Sequence, residues 1–224
     1  MAEATFEFGK NGLPPAGEDG RLDAPAFHRN AEPIWSAIAG LLADRRGSVL
    51  EIGSGTGQHI ATYAGRAPHL AFWPSDIMES HRASIDAYRR ATGLPNLHAP
   101  QSIDLMRAHW KWQRREDADG DLAAILCFNV IHIAPWAVAQ NLLRGAGRHL
   151  KAGGRLILYG PYKRGGAHTA PSNEAFDASL RARNPEWGVR DIETVADIAA
   201  QNDLTLIKTV EMPANNLVLA FERR

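Results

Sequence analysis

From Ser48 to Ile52 the chain reads SVLEI, a short apolar run that breaks into GSGTG and restarts as QHIATYAGRA at helical spacing. That succession predicts a strand, a glycine turn and a helix. Candidate strands recur at 70–74, 97–103, 122–128 and 154–159, with helix-length segments near 79–92 and 134–150 between them. The clearest helix is 134–150, where Trp136, Ala139, Leu142, Leu143, Ala146 and Leu150 form one apolar stripe that Gly153 and Gly154 close. Upstream, Ile34, Ile38, Leu41 and Leu42 repeat at the same period after the turn-prone Asn30, predicting a first amphipathic helix. Beyond residue 160 the turn formers GPYKRGGAHTAPSN lead into helix-like 173–183 and 191–201, then strands at 204–210 and 216–222. Only EMPANN separates the last two strands, too short for the crossover a parallel pair needs, so they form an antiparallel hairpin. Strands alternating with helices predict an α/β protein whose mostly parallel sheet is covered on both faces. The glycine- and proline-rich residues 1–26 read as a flexible arm, leaving 27–224 as one domain without an internal repeat.

Composition adds exclusions. The 224 residues are 45% hydrophobic and 22% charged, which excludes a mainly disordered, collagen-like or disulfide-scaffold chain. Twenty-five basic side chains balance 25 acidic ones, so no net field draws in nucleic acid or an anionic membrane. The single cysteine, Cys127, cannot form an intrachain disulfide or a cysteine-built zinc site. None of the nine histidines shows H-x-x-x-H or H-E-x-x-H spacing, so no metal is expected. No apolar run approaches the ~18 residues of a membrane span, and MAEATFEFGKNG lacks the pattern of a secretory signal. The expectation is a cytoplasmic protein, and no residue pattern specifies its oligomeric state. The pair Trp110 and Trp112, with Lys111, Arg114 and Arg115, reads as a half-buried helix with a charged outer face rather than a base-stacking surface.

The chemistry starts at Glu51-Ile52-Gly53-Ser54-Gly55-Thr56-Gly57, between strand and helix, where backbone N–H groups and the helix dipole face a ligand. A phosphate-cradling P-loop needs a lysine that is absent here, and a dinucleotide G-x-G-x-x-G needs glycine where Gln58 stands. The surviving G-x-G-x-G, with an acidic residue two positions before the first glycine, resembles motif I of class I S-adenosylmethionine-dependent methyltransferases. That cofactor carries an ammonium and a sulfonium instead of a pyrophosphate, so Glu51 is tolerable beside it. Asp76, 25 residues beyond Glu51, ends the second strand, where its carboxylate can accept both ribose hydroxyls; Asp104, after the third, can accept from the adenine amino group. Helix capping is the competing use of both aspartates.

Together RNAEPIW, VLEIGSGTGQH, PSD, FNVIHIAPW, LKAGGRLILYGPYKRGGAHTAPSN, FDASLRARNPEWGVRD and EMPANNL are similar to a poorly characterised class I methyltransferase family, the one that includes vertebrate methyltransferase-like protein twenty-six. The resemblance runs from about residue 22 to the C-terminus. It implies a Rossmann-like, seven-stranded, mostly parallel sheet with an antiparallel last strand, and an N-terminal segment folded over S-adenosylmethionine with Arg29 pairing its carboxylate and Asn30 nearby. An ordinary helix cap is the other reading of Asn30.

Methyl transfer in line to a nucleophile needs orientation and, for a protonated acceptor, a base. His132, with an ordinary pKa of about 6.5, is the candidate base, and Asn129 beside it can contact cofactor or acceptor. Both could instead satisfy buried backbone groups. Tyr159, Tyr162, Lys163 and His168 in the loop after the fifth strand could hold an anionic acceptor, and Asn215 and Asn216 could line the pocket or make a turn. FNVI departs from the Asn-Pro-Pro-Tyr pattern of methyltransferases acting on DNA bases or glutamine. The favoured expectation is methylation of a small-molecule acceptor. The alternatives are a protein acceptor, a non-catalytic cofactor-binding scaffold, or a nicotinamide-dependent oxidoreductase, the last weakened by Gln58.

Overall fold

Leu122–Phe128 carries seven apolar side chains in a row, the composition of a strand covered on both faces, and all seven are buried at the centre of the sheet. A computed structural model describes residues 17–112 and 122–224. In chain order the elements are α1 (Pro25–Leu42), β1 (Gly47–Ile52), α2 (Gln58–Arg66), β2 (Leu70–Ser75), α3 (Glu79–Thr92), β3 (Leu122–Phe128), α4 (Trp136–His149), β4 (Leu150–Arg164), β5 (Ala167–His168), α5 (Pro171–Arg183), β6 (Arg190–Asp191), α6 (Ile192–Ala200), β7 (Leu204–Met212) and β8 (Asn216–Arg223).

Among the described residues the sheet has eight strands. Six form the path β2-β1-β3-β4-β8-β7, and the two-residue β5 and β6 attach to β4. β8 runs antiparallel to both neighbours, so along that path it alone opposes the common direction, and β7–β8 is the expected hairpin. The alternation of the strands divides the core. Val49, Leu126, Ile157 and Ala220 meet α1 and α2 on one face, while Leu50, Ile125, Leu158 and Phe221 meet α4 and α6 on the other. This is the α/β architecture that the strand and helix rhythm predicts, in the Rossmann-like form that the family resemblance implies.

Three expectations are corrected. The strand at 97–103 is reduced to two isolated bridges, Phe72 to Leu97 and Ser75 to Gln101. Pro95 and Pro100 supply no N–H, and His98 and Gln101 donate to β2 on either side of Pro100. The strand count is therefore eight, by the gain of β5 and β6, instead of seven. No helix runs through Trp110 and Trp112: Trp110 is buried with its indole donating to the Asn141 carbonyl, and Arg114 and Arg115 lie outside the described residues. The first helix starts at Pro25, so Arg29 and Asn30 lie within it and Ala24 is the cap. Before it Leu22 and Ala24 are buried, their N–H groups donating to Ser84 Oγ and Gln58 Oε1 at 2.9 and 2.8 Å. Residues 1–16 of the expected arm lie outside the described residues. Among the described residues no helix is long and apolar enough to cross a membrane, and no cluster of His, Cys, Asp and Glu could hold a metal.

Candidate functional site

β1 has β2 on one side and β3 on the other, so the direction of winding reverses between β1 and β3. In open α/β sheets a ligand crevice forms beyond the carboxyl ends of the strands at that switch. Here it is a cavity of about 1060 Å³, at the top of the roughly 300–1,000 Å³ range of pockets that hold one small ligand. Its floor is the turn after β1 and the turn after β3.

The first turn is built by backbone sterics. Gly53 sits at φ 67°, and a Cβ there would lie 2.5 Å from Val130 Cγ2; Gly57, at φ 88°, would set one 2.8 Å from Ile85 Cα. Both positions exclude a side chain. The N–H of Gly55 donates to Asp76 Oδ2 at 2.9 Å, and Asp76 Oδ1 accepts from Met78 N–H at 2.9 Å and lies 3.1 Å from His81 Nδ1. Asp76 is thus a rigid carboxylate tying the ends of β1 and β2. Gln58 is a staple: its amide bonds Asp23 at 2.7 Å, Ala24 N–H at 2.8 Å and Thr56 Oγ1 at 2.9 Å, fastening the chain before α1 to the glycine turn.

Glu51 is 2% exposed, and its Oε2 has no hydrogen-bond partner among the described residues. Desolvation, reinforced by the Asp76 charge and opposed by Ser54, pushes its pKa up to about 7. Among the described residues it is the only orphaned buried polar side chain that lines the cavity. A buried carboxylate oxygen without a donor is costly unless a cation meets it. Asp104, also lining, accepts from Met106 N–H at 2.8 Å in a tight local turn.

The opposite wall comes from β3, α5 and the hairpin. Asn129 holds the left-handed φ of 58° at the end of β3, its N–H donating to the Tyr159 carbonyl at 2.8 Å. Tyr159 lines the cavity, and its hydroxyl accepts from Asn216 Nδ2 at 3.0 Å. His132 is buried beside Gly160, where a Cβ would come within 3.0 Å of the imidazole, and its ring meets Phe176 edge-on at 5.7 Å. Burial, and then the Arg190 charge, push the His132 pKa down to about 3. With its pKa so lowered, the ring is neutral near pH 7. Ser172, Asn173, Phe176, Leu180 and Arg183 line the wall from one face of α5. The adjoining stripe is clamped, because Asp177 accepts from Val189 N–H at 2.7 Å and pairs with Lys163, His168 and Arg181 at 3.1–3.3 Å.

Of the residues expected at the site, Arg29, Asn30, Glu51, Gly53, Gly55, Asp76, Asp104, Asn129, His132, Tyr159 and Asn216 all line this one cavity. Asn30 is held by His59 at 2.9 Å. Gly57 supports the turn from behind without lining the cavity. Tyr162 is a correction: it is buried in the core on the α4 and α6 side, away from the cavity, and its hydroxyl has no partner among the described residues. Lys163 and His168 are occupied by Asp177, and Asn215 donates to Ser172 Oγ at 3.1 Å instead of lining the cavity. The sequence reading missed His59, Ile77, His81, Met106, Phe176 and Arg183 as lining residues. Only the Phe176, Leu180, Arg183 spacing on one helical face offered a signal.

A family model described as "Protein of unknown function (DUF938)" matches residues 21–223. The chain belongs to that family. Among solved structures, it is similar to an O-methyltransferase family protein from Burkholderia thailandensis at 17% identity and TM-score 0.72, covering 88% of this chain and 57% of that one. It is similar to magnesium protoporphyrin IX methyltransferase from Synechocystis, with bound S-adenosylhomocysteine, at 16% identity and TM-score 0.64, covering 87% and 84%. An O-methyltransferase family 2 protein from Planctomyces limnophilus in complex with apigenin matches at 17% identity and TM-score 0.66, covering 91% and 64%. The chain spans less than two thirds of the length of the Burkholderia and Planctomyces proteins. At such identities the likeness establishes a methyltransferase fold.

Proposed function

We propose that the protein is an S-adenosylmethionine-dependent methyltransferase acting on a small molecule. The observation that carries this reading is the orphaned, buried Glu51 Oε2 on the cavity floor, an acceptor without a donor where the cofactor's ammonium would sit. Further support comes from the cavity's size and its place at the switch between β1 and β3. When bound, the cofactor would supply an electrophilic methyl group for the acceptor's lone pair.

The chain's own residues would then bind and orient. Glu51 holds the ammonium, Asp76 presents its carboxylate to the ribose diol, and Asp104 accepts from the adenine amino group. Ile77 and Met106, 46% and 55% exposed, cover the adenine ring. Arg29 faces the amino-acid carboxylate from α1. Asn129, His132 and Tyr159 position the acceptor atom by hydrogen bonds, and an acceptor proton leaves through the mouth, since His132 is a poor base. Kinship with the family of methyltransferase-like protein twenty-six belongs to the same proposal and rests on the sequence motifs alone; a cytoplasmic location is likewise proposed, from the N-terminal sequence and the lack of a membrane-length apolar run.

Calorimetric titration of S-adenosylmethionine and S-adenosylhomocysteine into the wild-type protein, Asp76→Ala and Glu51→Gln tests the reading. Micromolar binding by wild type that both variants weaken supports it. No heat and no thermal shift with either ligand overturns it.

A further inference from the structure

The charges at the two ends of the cavity are in different states. On the floor, Glu51 keeps an orphaned oxygen. At the α5 wall the charged side chains are engaged. Asp177, behind the wall, is paired with Lys163, His168 and Arg181 at 3.1–3.3 Å. Arg190 donates to the carbonyls of Ile131, Ala134 and Glu186 at 2.6–3.0 Å and lies 5.4 Å from the Trp136 ring centre. The Arg183 guanidinium lies over the Trp187 ring, 5.5 Å from its centre. A charged group brought against this wall would lose its water without gaining a counter-ion. An anion there would also lie in the field of Glu51, Asp76 and Asp104.

The surface of the wall is largely apolar: Phe176 is 38% exposed, and Leu180, Ile133 and Val138 line the cavity with it. Phe176 joins Ile77 and Met106 as three of the four exposed large hydrophobic residues among those described, and all three line this cavity. Ile77 and Met106 stand beside Asp76 and Asp104, so Phe176 is the apolar face left for a second ligand. Its ring and the His132 ring meet at 67° with centres 5.7 Å apart, forming a corner that a flat ring can enter by stacking on one and meeting the other edge-on. The wall's amides are largely committed: Asn173 Nδ2 donates to Thr169 Oγ1 and the Asn215 carbonyl at 2.9 Å, and Asn216 Nδ2 to the Tyr159 hydroxyl and the Pro213 carbonyl at 3.0 and 3.4 Å. Asn129 and His132 supply the remaining polar edge. Both lie against Gly160, where a Cβ would come 3.0 Å from the imidazole and 3.6 Å from Asn129 Oδ1, so the missing side chain lets the two edges converge.

Resting on the methyltransferase reading, we propose that the α5 wall is the acceptor subsite and takes a small, flat, uncharged ring compound, its face on Phe176 and its polar atom at Asn129 and His132. Charge separates the two ligands. A cationic cofactor is drawn to the carboxylate floor, and a neutral acceptor is taken by the wall that has no counter-ion to give. The neutral state of His132 fits the same ligand, since its imidazole meets the polar atom without bringing a charge. The Asp177 clamp, next to Phe176 in α5, fixes the wall before any ligand arrives, which lowers the ordering cost of binding.

The probes are 2-naphthol, naphthalene-2-carboxylate and 2-naphthylmethylammonium, one ring system carrying no charge, a negative charge or a positive one, titrated into protein saturated with S-adenosylhomocysteine. The naphthol is expected to bind at least about tenfold tighter than either ion. Phe176→Ala is expected to weaken the naphthol about tenfold, and Phe176→Leu, which keeps apolar bulk without the flat face, to weaken it less. Retained affinity for S-adenosylhomocysteine reports that a variant folds; if Phe176→Ala fails that check, the wild-type ranking and Phe176→Leu carry the test. An ion that binds as tightly as the naphthol, no binding of any probe, or a naphthol affinity that survives Phe176→Ala overturns the subsite while leaving the cofactor reading intact. Failure of S-adenosylhomocysteine to bind wild type overturns both.

Discussion

The two ends of the cavity are built in opposite ways. The glycine-turn end is local: Glu51, Gly53 and Gly55 lie within five residues, and Asp76 is fastened to Gly55 by a backbone hydrogen bond. The α5 end is assembled from Asn129, His132, Tyr159, Phe176, Arg183 and Asn216, spread over 88 positions of chain. The first carries three carboxylates and an unmet hydrogen-bond acceptor; the second carries apolar surface and a cation. A site for a constant ligand can be written as a short motif, because strand, turn and helix place its groups. A site for a variable ligand is set by tertiary packing, and its residues carry no fixed spacing.

Removing Asp76 should give the largest effect at the first end. Asp76→Ala deletes the acceptor for Gly55 N–H and Met78 N–H as well as the proposed ribose contact, and is expected to weaken S-adenosylhomocysteine about a hundredfold. The thermal unfolding temperature should fall too, as two part-buried donors lose their partner. A loss below threefold by calorimetry would show that the two ends do not differ in this way.

Glu51→Gln separates stability from binding. The folded pKa of Glu51 is raised from 4.5 to about 7, so its contribution to stability is full below pH 4.5 and lost as pH rises through 7. The glutamine variant should therefore be more stable than wild type at pH 8, by about 1–3 kcal/mol, and close to it at pH 4.5. The same variant should bind S-adenosylhomocysteine roughly tenfold more weakly. In wild type a bound ammonium would ionise Glu51, so affinity rises from pH 6 to 8 and protons are released, readable as buffer-dependent binding enthalpy. Identical enthalpies in buffers of different ionisation heat would remove Glu51 from the ammonium site.

Sequence patterning reached the fold nearly complete. β3 and α3 fall on their expected limits, since seven consecutive apolar residues and a helix closed by Gly93 leave little ambiguity. The strand at 97–103 was misread because apolar content survives Pro100 while the hydrogen-bond ladder does not. At the site, Tyr159 and Tyr162 look alike as loop tyrosines, yet β4 extends to Arg164 and turns one to the cavity and the other into the core. The depressed His132 pKa was equally invisible, because it comes from burial and from Arg190, 58 positions away.

His132 offers a smaller test at the α5 end. Its folded pKa lies below the ordinary 6.5, so the stability it contributes is present above pH 6.5 and lost as pH falls toward 3. His132→Gln should flatten the acid limb of the stability curve, by about 1–2 kcal/mol at pH 4, and should leave binding of S-adenosylhomocysteine at pH 7 within threefold. An imidazole signal that titrates near pH 6.5 by NMR would return His132 to the role of base.

The smallest effect is expected at Tyr162, where the contrast with Tyr159 becomes sharpest. Tyr162 is 1% exposed and its hydroxyl has no hydrogen-bond partner, so the folded state forfeits the bond that water supplies to the unfolded chain. Tyr162→Phe removes that cost and keeps the ring, giving a change between zero and about +1 kcal/mol in stability and none in ligand binding. Tyr159→Phe removes the acceptor of the 3.0 Å bond from Asn216 at the cavity wall. It should cost about 1 kcal/mol and loosen the wall where the acceptor atom would sit. If instead Tyr162→Phe lowers stability or changes affinity while Tyr159→Phe does neither, the assignment of one tyrosine to the core and the other to the site is reversed.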